Sequence, residues 1–142
     1  MDPTPADPHA SAPVPETSRV LQVDAAVGIA AKLVYVTTGP QASRRMGEDV
    51  MQVALTPVVA ARIAEILKVV LQYADLIQRQ EIVAAWSAGE ATQFPQGRVE
   101  VDLLCVRIGI EPLGAGARVV VLWEHVPALV LQLESCVAVV GP

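Results

Sequence analysis

Histidine and cysteine are the residues of this chain that could carry nucleophilic chemistry, and few of them occur. A nucleophilic site needs Ser or Cys beside a His whose ring is oriented by a third group. His9 lies among prolines, which leaves His125, next to Glu124, to pair with Cys105. We expect His125 to sit at a helix start or the core edge, and Cys105 and Cys136 to be small buried hydrophobes. The sequence thus predicts no catalytic residue, and an enzyme is the least favoured class.

Residues and motifs suited to binding a metal or a nucleotide are also scarce in the sequence. Glu100 and Asp102 alternate along one strand face and could bring two oxygens together, but a solvated strand has the same spacing. The glycines Gly109, Gly114 and Gly116 form neither GxGxxG nor GxxxxGK[ST]. The two cysteines are not spaced as CxxC, which excludes a cysteine-rich zinc site. We predict no metal and no cofactor.

Two features favour contacts with another protein. Arg44 and Arg45 form a basic pair that could hold a phosphate or a partner's carboxylate in a bidentate manner. Because Glu48 follows closely, pairing within the loop or across subunits is the better interpretation. Trp86 and Trp123 are candidate interface anchors, since Trp is enriched at interface centres. Burial in the core is the alternative for each Trp.

The first half of the chain has strand patterns followed by a helix. The hydrophobic stretch 19–38 reads as one long strand or two short ones, with Gly28 as a bend or bulge. A helix across Asp24 to Lys32 is the alternative. Residues 50–55 alternate as a half-buried strand does. Thr56 and Pro57 then form a helix start, because Thr can cap free amides and Pro at the first position loses no helical hydrogen bond.

The predicted helix is amphipathic over about 24 residues, as judged from the 3.6-residue spacing of its apolar side chains. It could continue to Ala88 and stop at Gly89. A helix of that length would extend beyond the core of a small domain, so its C-terminal end is a natural contact site for a second subunit. The residues predicted to make this contact are Ile82, Val83 and Trp86.

The second half repeats the order of strands and helix. Residues 98–110 alternate as a strand, and the alternation reverses after Leu104, which indicates a bulge or a strand covered on both faces. Residues 111–117 form a turn and residues 118–123 the partner strand of a hairpin. A second helix begins near Glu124. Its predicted core residues are Val126, Leu129, Val130, Leu133 and Val137.

The two halves suggest an internal ββα-ββα duplication. Pro127 follows Pro57 by 70 residues, and this offset places Leu133 over Ile63, although residue identity between the halves is poor. With or without duplication, the predicted class is α+β: a mainly antiparallel sheet with one long and one shorter amphipathic helix on one face.

Residues 1–18 differ in composition from the rest. They hold five prolines, three acids and no Lys or Arg. Such a segment buries too little apolar surface to offset the entropy of ordering it, so we expect a disordered acidic leader before a single domain over 19–142. It has no basic start followed by an apolar run, so it is not a secretory signal, and a cytoplasmic location is expected.

Composition points to association. Hydrophobic residues make up 53% of the 142 residues and charged residues 18%, against about 45–50% and about 25% in average soluble domains. No run of about 20 apolar residues is present to span a membrane, and a net charge of -5 argues against nucleic-acid binding. We therefore expect a homo-oligomer, a dimer or higher, in which the apolar excess lies at subunit contacts.

The predicted function is a non-enzymatic oligomeric interaction module: an adaptor, assembly factor or regulator. The alternative is a holdase-like or secretion-type chaperone, or a small-ligand-binding protein, that uses an exposed apolar groove. Small size and acidity are shared with bacterial secretion chaperones, without a matching motif. A pocket with converging polar groups would favour a ligand or an enzyme, and a flat apolar face would favour the module.

Overall fold

A computed structural model describes residues 21–28, 31–39, 52–90, 97–110 and 118–141. These residues form six strands, three α-helices and one 3₁₀ turn, and the α+β class is confirmed. The elements are β1 (Leu21–Val27), β2 (Lys32–Thr38), β3 (Gln52–Leu55), α1 (Pro57–Val70), α2 (Leu76–Glu90), β4 (Gly97–Val101), β5 (Cys105–Ile110), β6 (Arg118–Leu122), the 3₁₀ turn Trp123–His125, and α3 (Val126–Val140).

The described strands form two sheets, so the expectation of a single sheet was wrong. Each sheet is an antiparallel meander of three strands, in the orders β1-β2-β3 and β4-β5-β6. The sheets meet where β2 and β3 contact β5 and β6. Because apolar side chains from both sheets face the same interior, one core serves both halves of the chain.

The stretch 19–38 contains two strands, which was one of the alternatives, and the alternative helix across Asp24 to Lys32 is not formed. Their turn is at Gly28, whose N–H donates to the carbonyl of Ala31 at 2.9 Å. The register pairs Val23 with Val36 and Ala25 with Val34. Val34 and Val36 are completely buried, so this row of side chains is the interior face of the sheet.

The start of α1 confirms the cap predicted from Thr56 and Pro57. The Thr56 hydroxyl accepts a hydrogen bond from the amide of Val59 at 3.3 Å, and Pro57 occupies the first turn. Ile63, Leu67 and other apolar residues at helical spacing then face the core.

The expected long helix is interrupted, and this prediction was wrong. The chain leaves the helix after Val70 and starts a new one at Leu76, where the carboxylate of Asp75 accepts from the amide of Gln78 at 2.9 Å. Asp is a favoured capping residue, so a new helix start competes with continuation. The second helix, α2, runs through Gly89 to Glu90 instead of stopping at Gly89.

A tight hairpin explains the reversed alternation in 98–110, so neither a bulge nor a strand covered on both faces is its cause. The N–H of Asp102 donates to the carbonyl of Cys105 at 2.9 Å, and the turn residues Leu103 and Leu104 are exposed. The β5–β6 hairpin was predicted correctly, with Gly109 paired to Arg118.

The last helix, α3, follows the predicted pattern. Of its predicted core residues, Val126, Leu129, Val130 and Leu133 are buried and Val137 packs half-buried against the same core. Helices α1 and α3 pack on each other, and α3 also packs on β1 and β2. Lys68 of α1 and Glu134 of α3 form an exposed ion pair of 2.9 Å.

The two halves repeat in topology, as three antiparallel strands followed by a helix. The predicted offset of 70 residues places buried Leu133 over buried Ile63, and buried Val140 over buried Val70. The repeat unit is therefore βββα, with one strand more than the predicted ββα, and α2 stands between the two units.

Some predictions fall on residues that the structure leaves undescribed. The leader 1–18, the pair Arg44 and Arg45, and the loop 111–117 lie outside the described residues. Within the described ranges, no helix has the length and apolar character needed to cross a membrane.

Candidate functional site

The structure separates the environments of the two residues considered for nucleophilic chemistry. Cys105 is completely buried and packs with Val120 and Leu122 on the side of the sheet away from the main core. His125 is the last residue of the 3₁₀ turn, and its nearest ion-pair partner is Glu124 at 4.0 Å. It occupies the cap position of α3 but makes no side-chain capping bond. A buried thiol cannot meet a substrate, so this pair does not form a usable nucleophilic site.

The carboxylates of Glu100, on β4, and Asp102, in the turn after it, lie near a base. Arg107 of β5 lies opposite Glu100 in the register and forms an ion pair with Asp102. Among the described residues, no group of three or more His, Cys, Asp or Glu side chains is placed to hold a metal ion. Glu100 and Asp102 therefore do not share a strand face, because Asp102 lies in the β4–β5 turn, where it pairs with Arg107.

Trp123 lies at the centre of a polar cluster that joins the two halves. Its indole N–H donates to the backbone carbonyl of Asp102 at 2.7 Å, and Arg79 of α2 stacks over its ring. The Arg79 guanidinium also donates to the carbonyl of Val70 at 3.0 Å, at the end of α1. These bonds hold the α1–α2 junction against the β4–β5 hairpin, which is a structural role.

The predicted contact residues of α2 face the core of their own chain. Val83 is buried, and Ile82 and Trp86 are half-buried against the main cluster. Packing of this kind leaves only part of each side chain for another molecule. A role for these three residues in association stays a prediction.

A shallow cleft of about 270 Å³ lies between α2 and β4. Its walls include the apolar Val83 and Val99 but also Gln80, Arg98 and Glu100. The side-chain amide of Gln80 donates to the carbonyl of Val101 at 3.2 Å, so these two polar groups are already hydrogen-bonded to each other. An apolar ligand requires a mainly hydrophobic lining, and this cleft does not provide one.

The surface that stands out is the outer face of α3. Glu134 is the only charged residue of the helix, whereas a helix on a protein surface normally carries charged residues opposite its core face. Leu131 is 66% exposed and Val139 is 74% exposed. We call this surface the α3 face; its exposed members are Pro127, Ala128, Leu131, Ser135, Ala138 and Val139.

Comparisons with family models, curated proteins and solved structures found no match.

The α3 face was present in the sequence but was not recognised as a site. The apolar spacing predicted the core residues of this helix correctly, whereas the residues opposite them were not predicted to form a contact surface. The signal was compositional: this helix carries a single charge, Glu134, whereas the outer face of a surface helix normally carries several charged residues.

Proposed function

We propose that this chain is a non-enzymatic interaction module that self-associates, and that the α3 face makes the contact. The observation that carries the proposal is the exposure of Leu131 and Val139 on a helix whose only charge is Glu134. Depletion of charge at the centre of a patch is typical of interface cores.

The edges of this surface support the proposal. The ion pair between Lys68 and Glu134 is exposed and lies where α3 meets α1. Interfaces commonly have such an arrangement, with an apolar centre and charged groups at a rim that stays in contact with water. Because both charges are exposed at the α1 side of the α3 face, a contact centred on its apolar residues requires less desolvation than one centred on the ion pair.

Self-association is favoured over a foreign partner by the composition of the whole chain. With 53% hydrophobic and 18% charged residues, an excess of apolar surface is an intrinsic property that every copy carries. A pairing of identical surfaces brings two uncharged faces together, so that the net charge of -5 does not concentrate at the contact. We place this module in the cytoplasm.

The alternative chaperone or ligand-binding role would need an apolar groove. The cleft between α2 and β4 is lined in part by charged and amide side chains, which gives that alternative no specific support. It stays a hypothesis without an assigned site.

Solution mass tests the proposal. Light scattering at micromolar concentration should give at least twice the monomer mass of 15.0 kDa. Leu131→Glu places a charge at the centre of the α3 face and should weaken association by about 2 kcal/mol or more, which is about thirtyfold in affinity.

The matched control is Ile77→Glu. Ile77 is 64% exposed, nearly the same as Leu131, but it lies on α2. This variant gains the same charge and loses a similar apolar side chain, and we expect it to keep the wild-type mass. A wild-type monomer over the whole concentration range would refute the proposal.

A further inference from the structure

The outer strands of the two sheets, β1 and β4, differ in how well they are covered. On β4, the core-facing Val99 and Val101 are 3% and 5% exposed, and α2 packs along this strand. On β1, the corresponding core-facing residues Leu21, Val23 and Ala25 are only half-buried. In the part of the chain that the structure describes, α3 is the main helix packed on β1, and nothing occupies the place that α2 takes beside β4.

The backbone of β1 directs hydrogen-bonding groups toward the side away from β2, where the described residues place no strand. In an antiparallel pair, bonded and non-bonded residue pairs alternate. Because Gly28 bonds to Ala31, residues 22, 24 and 26 bond to β2, and Leu21, Val23 and Ala25 turn their N–H and C=O groups outward. In agreement, the outward carbonyl of Val23 accepts the thiol of Cys136 at 3.5 Å. A thiol is a weak donor and a carbonyl has two lone pairs, so this group can still accept a stronger bond.

The sequence of β1 lacks the features that protect open edges. Natural edge strands carry Lys, Pro or bulges that prevent pairing with another strand. The sequence LQVDAAV has none of these, and Asp24 is its only charge.

We propose that β1 pairs with β1 of a second copy in antiparallel orientation, on a two-fold axis that passes beside Val23. This inference rests on the proposed self-association and names the surface that would carry it. An antiparallel pair of identical strands has two-fold symmetry, and it would join the two β1-β2-β3 sheets into one sheet of six strands.

Hydrogen-bond complementarity selects the register. An axis at Val23 places Leu21 opposite Ala25 of the second copy, and Gln22 opposite Asp24. The pairing occurs twice, so each Asp24 carboxylate meets an amide donor. Within one chain Gln22 already donates to Asp24, and the second hydrogen of its amide is left for the carboxylate of the second copy. An axis at Ala25 would instead place Asp24 opposite Ala26, which offers no donor.

The α3 face fits the same arrangement. Cys136 points toward β1 and Glu134 toward α1. At 100° per residue, Val139, Ala128 and Ser135 lie about 60° to 100° beyond Cys136, on the side away from α1.

The spacing of the strands then brings the two α3 helices together. Helix α3 packs on both β1 and β2. Because α3 packs mainly on β1 and its Cys136 reaches the outward carbonyl of Val23, pairing of the two β1 strands would bring the two α3 helices close to the two-fold axis and to each other. Small residues such as Ala128 and Ser135 suit that approach, so strand pairing and the α3 face would form one interface.

Charge variants of Gln22 test the register. Gln22→Lys would face Asp24 of the second copy twice and should lower the dimer Kd by about tenfold, whereas Gln22→Glu should raise it by a similar factor. Opposite effects from two charges at one position cannot both come from misfolding. Analytical ultracentrifugation over a concentration series measures each Kd.

Gln52 supplies the matched control. It lies on β3 in the same row and on the same face as Gln22, and its side chain donates to Thr37 at 2.9 Å. The Lys and Glu variants of Gln52 should leave the Kd unchanged. Equal effects at both positions would overturn the strand pairing, because they would report total charge alone.

The outcomes separate the two proposals. A dimer that Leu131→Glu dissociates but that ignores Gln22→Lys and Gln22→Glu overturns the β1 pairing and leaves the interaction module in place. A wild-type protein that stays monomeric would refute both proposals. A disulfide formed in a mixture of Gln22→Cys and Asp24→Cys chains, above the background of the wild type with its buried cysteines, would support the register.

Discussion

The guanidinium of Arg79 stacks over the indole ring of Trp123, with 4.0 Å between the guanidinium carbon and the ring centroid. Arg79 comes from the start of α2, and Trp123 comes from the turn before α3. The same guanidinium donates to the carbonyls of Val70 and Tyr73, at and just beyond the end of α1. The Val70 carbonyl also accepts from the amide of Tyr73 at 3.2 Å. One side chain therefore supports the end of a helix and connects two halves of the chain.

We expect Arg79→Ala to lower the free energy of unfolding by about 2 kcal/mol, because it removes a cation–π contact and the bonds to two carbonyls. Arg79→Lys should have an intermediate effect, since Lys keeps the charge but lacks the planar donor group. Urea unfolding followed by circular dichroism measures both variants.

The control for Arg79 is Gln78→Ala, a substitution on the adjacent exposed residue. We expect it to change stability little, because the capping bond from Asp75 goes to the backbone amide of Gln78, which the substitution keeps. An Arg79→Ala variant as stable as the wild type would show that the stacked geometry contributes nothing to folding.

Local signals in the sequence predicted several elements well. The cap at Thr56 and the spacing of core residues in α3 depend on near neighbours, and both were predicted correctly. The break between α1 and α2 was missed because apolar spacing continues across it. The pattern of Asp75 followed three residues later by Gln78 resembles a capping box and could have identified the break.

Features that depend on distant contacts could not be predicted in this way. The β4–β5 turn at Leu103 and Leu104 has no Gly or Asn to mark it, so the turn follows from the register of the two strands. Which face of α3 is free depends on how α1 and β1 pack around it. The candidate site is therefore a property of tertiary packing, although its uncharged composition is visible in the sequence.

Cys136 should be chemically inert in the native protein. Burial raises the pKa of its thiol, and the carboxylate of Asp24 raises this pKa further. Since the thiolate is the reactive form, a raised pKa keeps Cys136 protonated at neutral pH. We expect a bulky aromatic disulfide reagent to label the native protein slowly and the urea-unfolded protein quickly at both cysteines.

Asp24→Asn separates the two causes. This substitution removes the Asp24 charge, which is the smaller cause of the raised pKa of Cys136. The labelling rate of Cys136 should therefore increase only modestly, because the thiol is still buried. Fast stoichiometric labelling of the native wild type would contradict the buried position of the thiol.

The repeated βββα units predict that equivalent core residues contribute similarly to the free energy of unfolding. Ile63 and Leu133 are separated by the 70-residue offset, and both are completely buried, one on each of two helices that pack together. Replacing either with Ala leaves a cavity in the same core, so we expect Ile63→Ala and Leu133→Ala each to cost about 3 kcal/mol. Ile77→Ala, at an exposed position, should cost far less. Denaturant unfolding measures the free energy of unfolding of the three variants. A large loss of stability at one buried position and a small loss at the other would show that the two halves share topology without sharing packing.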